Sequence, residues 1–223
     1  MRNEGPSMTR VITITWIWQR KLLMGCLATT AVAVMASCSA AGTLESSDYN
    51  FADFLLAYDT AHSNAVEWHA TPIMTRADIR FAPRHAAAEA PAASFFFINP
   101  SNHQEWLLVR VQPVAEGEYR VTASEAGRYE DPKVNAIGIK PETLRLNPEL
   151  VLSIALLGPV PIRSDVLENA IWPASIVLQR EDLFNVTGEV IWSVQVSGGI
   201  AGESQSVKVN DASGQVVGAS TDL

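Results

Sequence analysis

An apolar run of sixteen residues, 22–37, ending in Cys38, divides this chain before any fold can be considered. It starts behind the basic pair Arg20 and Lys21 and closes on the small residues Ala36 and Ser37. A charged start, an apolar middle and a small-residue exit are the layout of a secretory signal. Sixteen residues fall short of the ~20 that a membrane-crossing helix requires, so the run predicts export rather than a span. The fold must then come from the remaining 186 residues, enough for one ordinary domain or two small ones. Cys38 is the last cysteine in the sequence, so an oxidising compartment brings no internal disulfide to this segment. Apolar burial has to hold it together, and with 48% apolar residues the chain has the material.

Residues 1–37 hold four of the 16 basic and one of the 24 acidic residues, leaving 12 basic against 23 acidic, a formal net of −11. So acidic a segment disfavours nucleic acid and anionic headgroups, and it leaves basic proteins or peptides among its partners.

Met35-Ala36-Ser37-Cys38 resembles the lipobox of bacterial lipoproteins, with Met35 where leucine is usual. The resemblance implies that the Cys38 thiol is acylated and that Cys38 becomes the first mature residue. Leu23-Met24-Gly25-Cys26 is a competing box with a better first position. Cleavage there would leave about ten apolar residues on the mature terminus, which favours Cys38. Ser39, where enteric lipoproteins kept in the inner membrane have aspartate, implies an outer-membrane location facing the periplasm. Residues 38–47 are small and polar and read as a flexible tether.

Beyond the tether, the order helix, strands, helix, strands is expected. Phe51, Phe54, Leu55 and Tyr58 recur at helical spacing, which predicts a helix over 48–68 capped by Ser47 or Asp48. Strands are expected at 73–82, 94–98, 105–112 and 118–124, with Pro113 and Gly117 marking a connection. The turn-rich stretch 131–147 reads as a linker. Asn147-Pro148 then opens a helix over 149–157 with Leu150, Val151, Ile154 and Leu157 on one face, stopped by Gly158-Pro159. A further helical turn at 164–170 and strands at 175–179, 190–197 and 205–210 follow, with Asp211 to Gln215 forming a hairpin turn. The fold class is α+β, helices packed on antiparallel sheet, with related halves at 48–130 and 148–223. The internal match aligns Trp106 with Trp192 and Val121 with Val207, both at an offset of 86 residues.

The last third resembles a PepSY-type domain. Trp192-Ser193-Val194-Gln195-Val196, followed by Val207-Lys208-Val209-Asn210-Asp211-Ala212-Ser213-Gly214-Gln215-Val216, carries the resemblance. Such domains pack a helix on an antiparallel sheet, and some members are pro-segments that hold peptidases inactive. The resemblance implies a binding or inhibitory module and supplies no catalytic residues.

Catalytic patterns are not evident. His62 and His69 stand seven apart, about 10 Å along a helix axis, too far to share one ion. His85 and His103 fall in expected loops. Gly198 to Gly202 resembles a phosphate cradle in composition alone, because it joins strands and offers no helix amino end. Glu130-Asp131 and Glu181-Asp182 are turn pairs with nothing to fix them as an acid and a base. No metal or cofactor is expected. Among the tryptophans, Trp106 and Trp192 read as core, and Trp172, beside Pro173, is a candidate contact for a partner peptide or glycan. The expected function is a lipid-anchored envelope module that binds a protein or peptide without catalysis. An accessory of an envelope assembly or secretion machine, and an enzyme without a recognisable motif, stand as alternatives.

Overall fold

The computed structural model describes residues 45–86, 92–130, 137–180, 188–198 and 202–222. Cys26, Cys38, the 181–187 segment and most of the tether lie outside the described residues. The elements are β1 (Tyr49–Phe51), α1 (Phe54–Trp68), β2 (Ile73–Pro83), β3 (Ala93–Asn99), β4 (Asn102–Ala115) and β5 (Glu118–Arg128). They continue with α2 (Pro148–Leu157), α3 (Ser164–Glu168), β6 (Ala174–Arg180), β7 (Val190–Ser197), β8 (Ser204–Asn210) and β9 (Val216–Asp222). The balance is more β than an even α+β reading suggests: one antiparallel sheet dominates, and the helices lie on it.

The sheet runs β5-β4-β3-β2-β6-β7-β8-β9, with β1 pairing the far end of β2. Its order is symmetric about the central β2–β6 pair, each half counting four strands outward. The two segments expected as halves therefore share one sheet. The symmetry corrects the residue match, however. Trp106 sits on β4, third from the centre, whereas Trp192 sits on β7, second from the centre. Equal offsets in sequence do not make them equivalent positions.

The period of two along each strand sorts side chains to two faces. On the helix side, Val109, Phe95, Ala77, Leu178, Trp192 and Val209 form one row across six strands. All belong to the main core. On the other side run Leu108, Phe96, Arg76, Gln179, Ile191 and Asn210. There the Arg76 guanidinium lies 5.6 Å from the centre of the Phe96 ring, a cation–π contact. Trp106 belongs to this second face. It is half-buried rather than core, and its ring lies over Gly127, where a Cβ would collide with it.

The first helix begins later than its apolar spacing suggests. Phe51 is drawn into β1, and Asp53 caps α1 by accepting the Leu55 and Leu56 N–H groups, each at 3.1 Å. The buried stripe is Phe54, Ala57, Ala61 and Ala65, while Leu55 is 56% exposed. Alanine there lets the helix sit close on β3, β4 and β5. In α2 the expected cap holds, with Asn147 Oδ1 accepting the Leu150 N–H at 2.8 Å. The buried face is Pro148, Val151, Leu152, Ala155 and Leu156, so Leu150 and Leu157 point outward, against expectation.

Pro113 lies inside β4 rather than in the connection. It is tolerated because β3 ends opposite Val111, so no ladder partner is denied on that side. The turn is Glu116-Gly117, with Gly117 at φ 73°, a left-handed conformation that favours glycine. Residues 137–147 are stitched to the sheet. Ile139 N–H donates to Met74 O at 2.7 Å, and Arg180 donates to the carbonyls of Ile137, Gly138 and Gly188.

Candidate docking surfaces

Asp211 ties the C-terminal half together and does more than its turn position suggests. Its Oδ1 accepts from Trp192 Nε1 at 2.8 Å and from Leu146 N–H at 3.1 Å, and its Oδ2 accepts from Arg145 N–H at 3.1 Å. The local turn bond falls instead to Asn210, whose Oδ1 accepts the Ser213 N–H at 3.0 Å. A buried indole N–H needs an acceptor, and Asp211 supplies one from the hairpin while fixing the entry to α2. This is packing, and it offers no free group to a ligand.

A cleft of about 510 Å³ lies where the amino ends of α1 and α2 approach each other, between Asp53, Leu55, Arg145, Asn147 and Leu150. Two helix amino ends invite an anion by dipole. Here the caps take the Leu55, Leu56 and Leu150 N–H groups, and the Asp53 N–H is taken by Tyr119 Oη at 2.6 Å. Burial pushes the Tyr119 hydroxyl above its ordinary value, so it stays protonated. The cleft is an open recess with mixed walls, Phe51, Leu55 and Leu150 beside Asp53, Arg145, Asn147 and Glu149.

The histidines do not converge. His62 stacks on Tyr58 at 5.3 Å, and His69 Nδ1 accepts the Thr71 N–H at 3.2 Å. Among the described residues no group of three acidic, histidine or cysteine side chains could hold a metal ion. No described helix is long and apolar enough to cross a membrane. Trp172 is half-buried, packed 5.8 Å from both Tyr49 and Phe81, which are 5.7 Å from each other. This aromatic triangle fastens β1 over the end of the β2–β6 pair. Its neighbour Ile171 is the more open residue, 61% exposed.

The two ends of the sheet differ in chemistry. β5 carries Glu118, Arg120, Glu125 and Arg128 along its length. Charges on an edge strand oppose pairing with another chain. β9 reads Val216-Val217-Gly218-Ala219-Ser220-Thr221-Asp222, with one charge, at its end. Val217 is 53% exposed, and Ala219 to Asp222 are also exposed. Periodicity alone does not rank the edges, because it does not encode strand order. The signal was nonetheless present: one terminal strand is rich in charge and the other is nearly bare of it.

The fold and its surfaces define a sheet-and-helix protein whose open features are an edge strand and apolar patches. No family model matches the sequence, so the PepSY resemblance gains no support from that comparison. No curated protein matches it either. A solved structure from Clostridium difficile 630, described as a "putative lipoprotein", shares the fold with a TM-score of 0.50 at 9% identity, covering 74% of this chain and 92% of that one.

Proposed function

We propose that this chain is an exported lipoprotein, acylated at Cys38 and facing the periplasm from the outer membrane, that binds a protein or peptide without catalysing a reaction. The β9 edge carries the binding part of the reading. Its outward N–H and C=O groups can pair with an added strand, and no charged side chain from Val216 to Thr221 opposes this. The lipobox at Met35 to Cys38 carries the anchoring part, and the fold shared with a protein described as a lipoprotein is consistent with it. The acidic balance of residues 38–223 favours a basic partner segment.

The test uses the lipidated protein, whose only native cysteine after processing at Cys38 is the acylated one. Ser220→Cys, labelled with a benzophenone maleimide, is irradiated in envelope fractions beside Glu125→Cys on β5. A discrete crosslinked polypeptide from position 220, competed by unlabelled protein and missing from position 125, is the expected result. Equal or no crosslinking at the two edges rejects the β9 reading. Palmitate incorporation that survives Cys38→Ala rejects the anchor at Cys38.

A further inference from the structure

α2 is apolar all the way round. From Leu150 to Leu157 its only polar side chain is Ser153. Helices of that composition are ordinarily covered on every side, yet only one side of α2 meets the sheet. Val151, Leu152, Ala155 and Leu156 face β7 and β8, while Leu150 is 46% exposed and Leu157 is 62% exposed. At 100° per residue, Leu150, Ser153, Ile154 and Leu157 share the opposite face; Ile154 there is half-buried against the core, and the Ser46–Asp48 turn packs on the helix, so the open apolar groups are Leu150 and Leu157. Val160, just past the helix end, is 46% exposed as well.

A contact with Ser46, close in sequence to the proposed anchor, points to what covers this strip. Ser46, the second described residue, hydrogen-bonds through its Oγ to Ser153 Oγ at 2.8 Å, in the middle of the exposed face. Leu150 and Leu157 lie three and four residues from Ser153, about 5 and 6 Å along the axis. Cys38 stands seven positions before Glu45, so a fully extended tether reaches at most about 25 Å. An acyl anchor at Cys38 thus keeps the strip next to lipid at high effective concentration.

We infer that the outward face of α2, Leu150 and Leu157, with Val160 beyond it, lies on the bilayer that holds the anchor, so that the domain rests on the membrane with its helix side down. This rests on the acylation of Cys38 proposed above. The lipid is zwitterionic: Glu45 and Asp48 belong to the turn that packs on α2, Glu149 stands in the first turn of that helix, and anionic headgroups would repel all three.

The experiment places an environment-sensitive nitrobenzoxadiazole label at Leu157→Cys, or at Leu150→Cys, in the full lipidated protein on phosphatidylcholine–phosphatidylethanolamine vesicles. Both sites are exposed, so the substitutions leave the core intact. Glu125→Cys on β5 is the control. Quenching by spin-labelled lipids is expected to place the α2 labels about 5–10 Å below the headgroup boundary and to leave the control in water. Replacing part of the lipid with phosphatidylglycerol is expected to reduce quenching at 157. If the protein floats with the vesicles, carries acyl mass on Cys38, and its α2 labels remain as water-exposed as the control, the inference is wrong and the anchor stands. If acyl mass is missing from Cys38, both readings fail. Quenching or a blue shift that needs an added envelope protein assigns the strip to that protein and overturns the membrane contact.

Discussion

Replacing Asp211 with alanine removes three acceptor contacts at once, and their surroundings set the cost. Trp192 is fully buried, so its indole N–H loses its partner with no water to replace it. Leaving a buried donor unsatisfied costs about 1–3 kcal/mol. The Leu146 N–H is half-buried and recovers part of its loss through hydration, while Arg145 is exposed and recovers most of it. The total for Asp211→Ala is therefore about 3 kcal/mol, a large share of the ~5–15 kcal/mol that holds a typical domain. For a domain of this size that corresponds to a fall in Tm of about 6–12 °C. Urea unfolding followed by far-ultraviolet circular dichroism measures it without relying on the tryptophan. A double-mutant cycle isolates the indole bond: in a Trp192→Phe background, Asp211→Ala should cost at least about 1 kcal/mol less than in the native background. A single-variant cost under about 1 kcal/mol, or a coupling within the ~0.3 kcal/mol expected of independent sites, would refute the reasoning.

Other expectations follow from the same geometry. Gly127→Ala forces the Trp106 ring off its seat, so stability should fall by about 1–3 kcal/mol with a red-shifted tryptophan emission; an unchanged spectrum counts against the stacking. Burial pushes the Asp78 carboxyl above its ordinary value, and Arg76 and Arg80 pull it back only in part. The native state then holds this proton more tightly than the unfolded chain, so the ionised group weakens the fold at neutral pH and the penalty fades as pH falls through the raised value. Asp78→Asn should accordingly be the more stable form at pH 7, with the gap closing toward pH ~4; a less stable variant at pH 7 reverses the sign. Trp172→Ala opens the triangle with Tyr49 and Phe81, and a loss of about 3 kcal/mol or more in chemical unfolding is expected. Ala219→Lys on the exposed β9 edge should leave unfolding within about 0.5 kcal/mol of the parent while abolishing the crosslink from position 220; an undiminished crosslink argues against strand addition.

Local signals in the sequence determined much of this protein. Alternation located the strands, because a strand with one face toward a helix layer must alternate. Asn147-Pro148 and Gly158 bounded α2, because a helix leaves its terminal N–H and C=O groups to be satisfied by neighbours. The basic, apolar and small-residue succession before Cys38 is likewise a local pattern, readable without a fold. What depended on partners distant in the chain was decided only by tertiary structure. Phe51 looked helical by spacing but pairs with Phe81 in β1. Trp106 and Trp192 looked equivalent, yet the pairing register sends one to each face of the sheet. Leu150 and Leu157 looked like core, because an apolar helix has no polar side to show which face the sheet will take. Asp211 looked like a turn residue until residues 145–146, some 65 positions away, came within reach. Periodicity fixes which side chains share a face, but only the packing of elements fixes what that face meets.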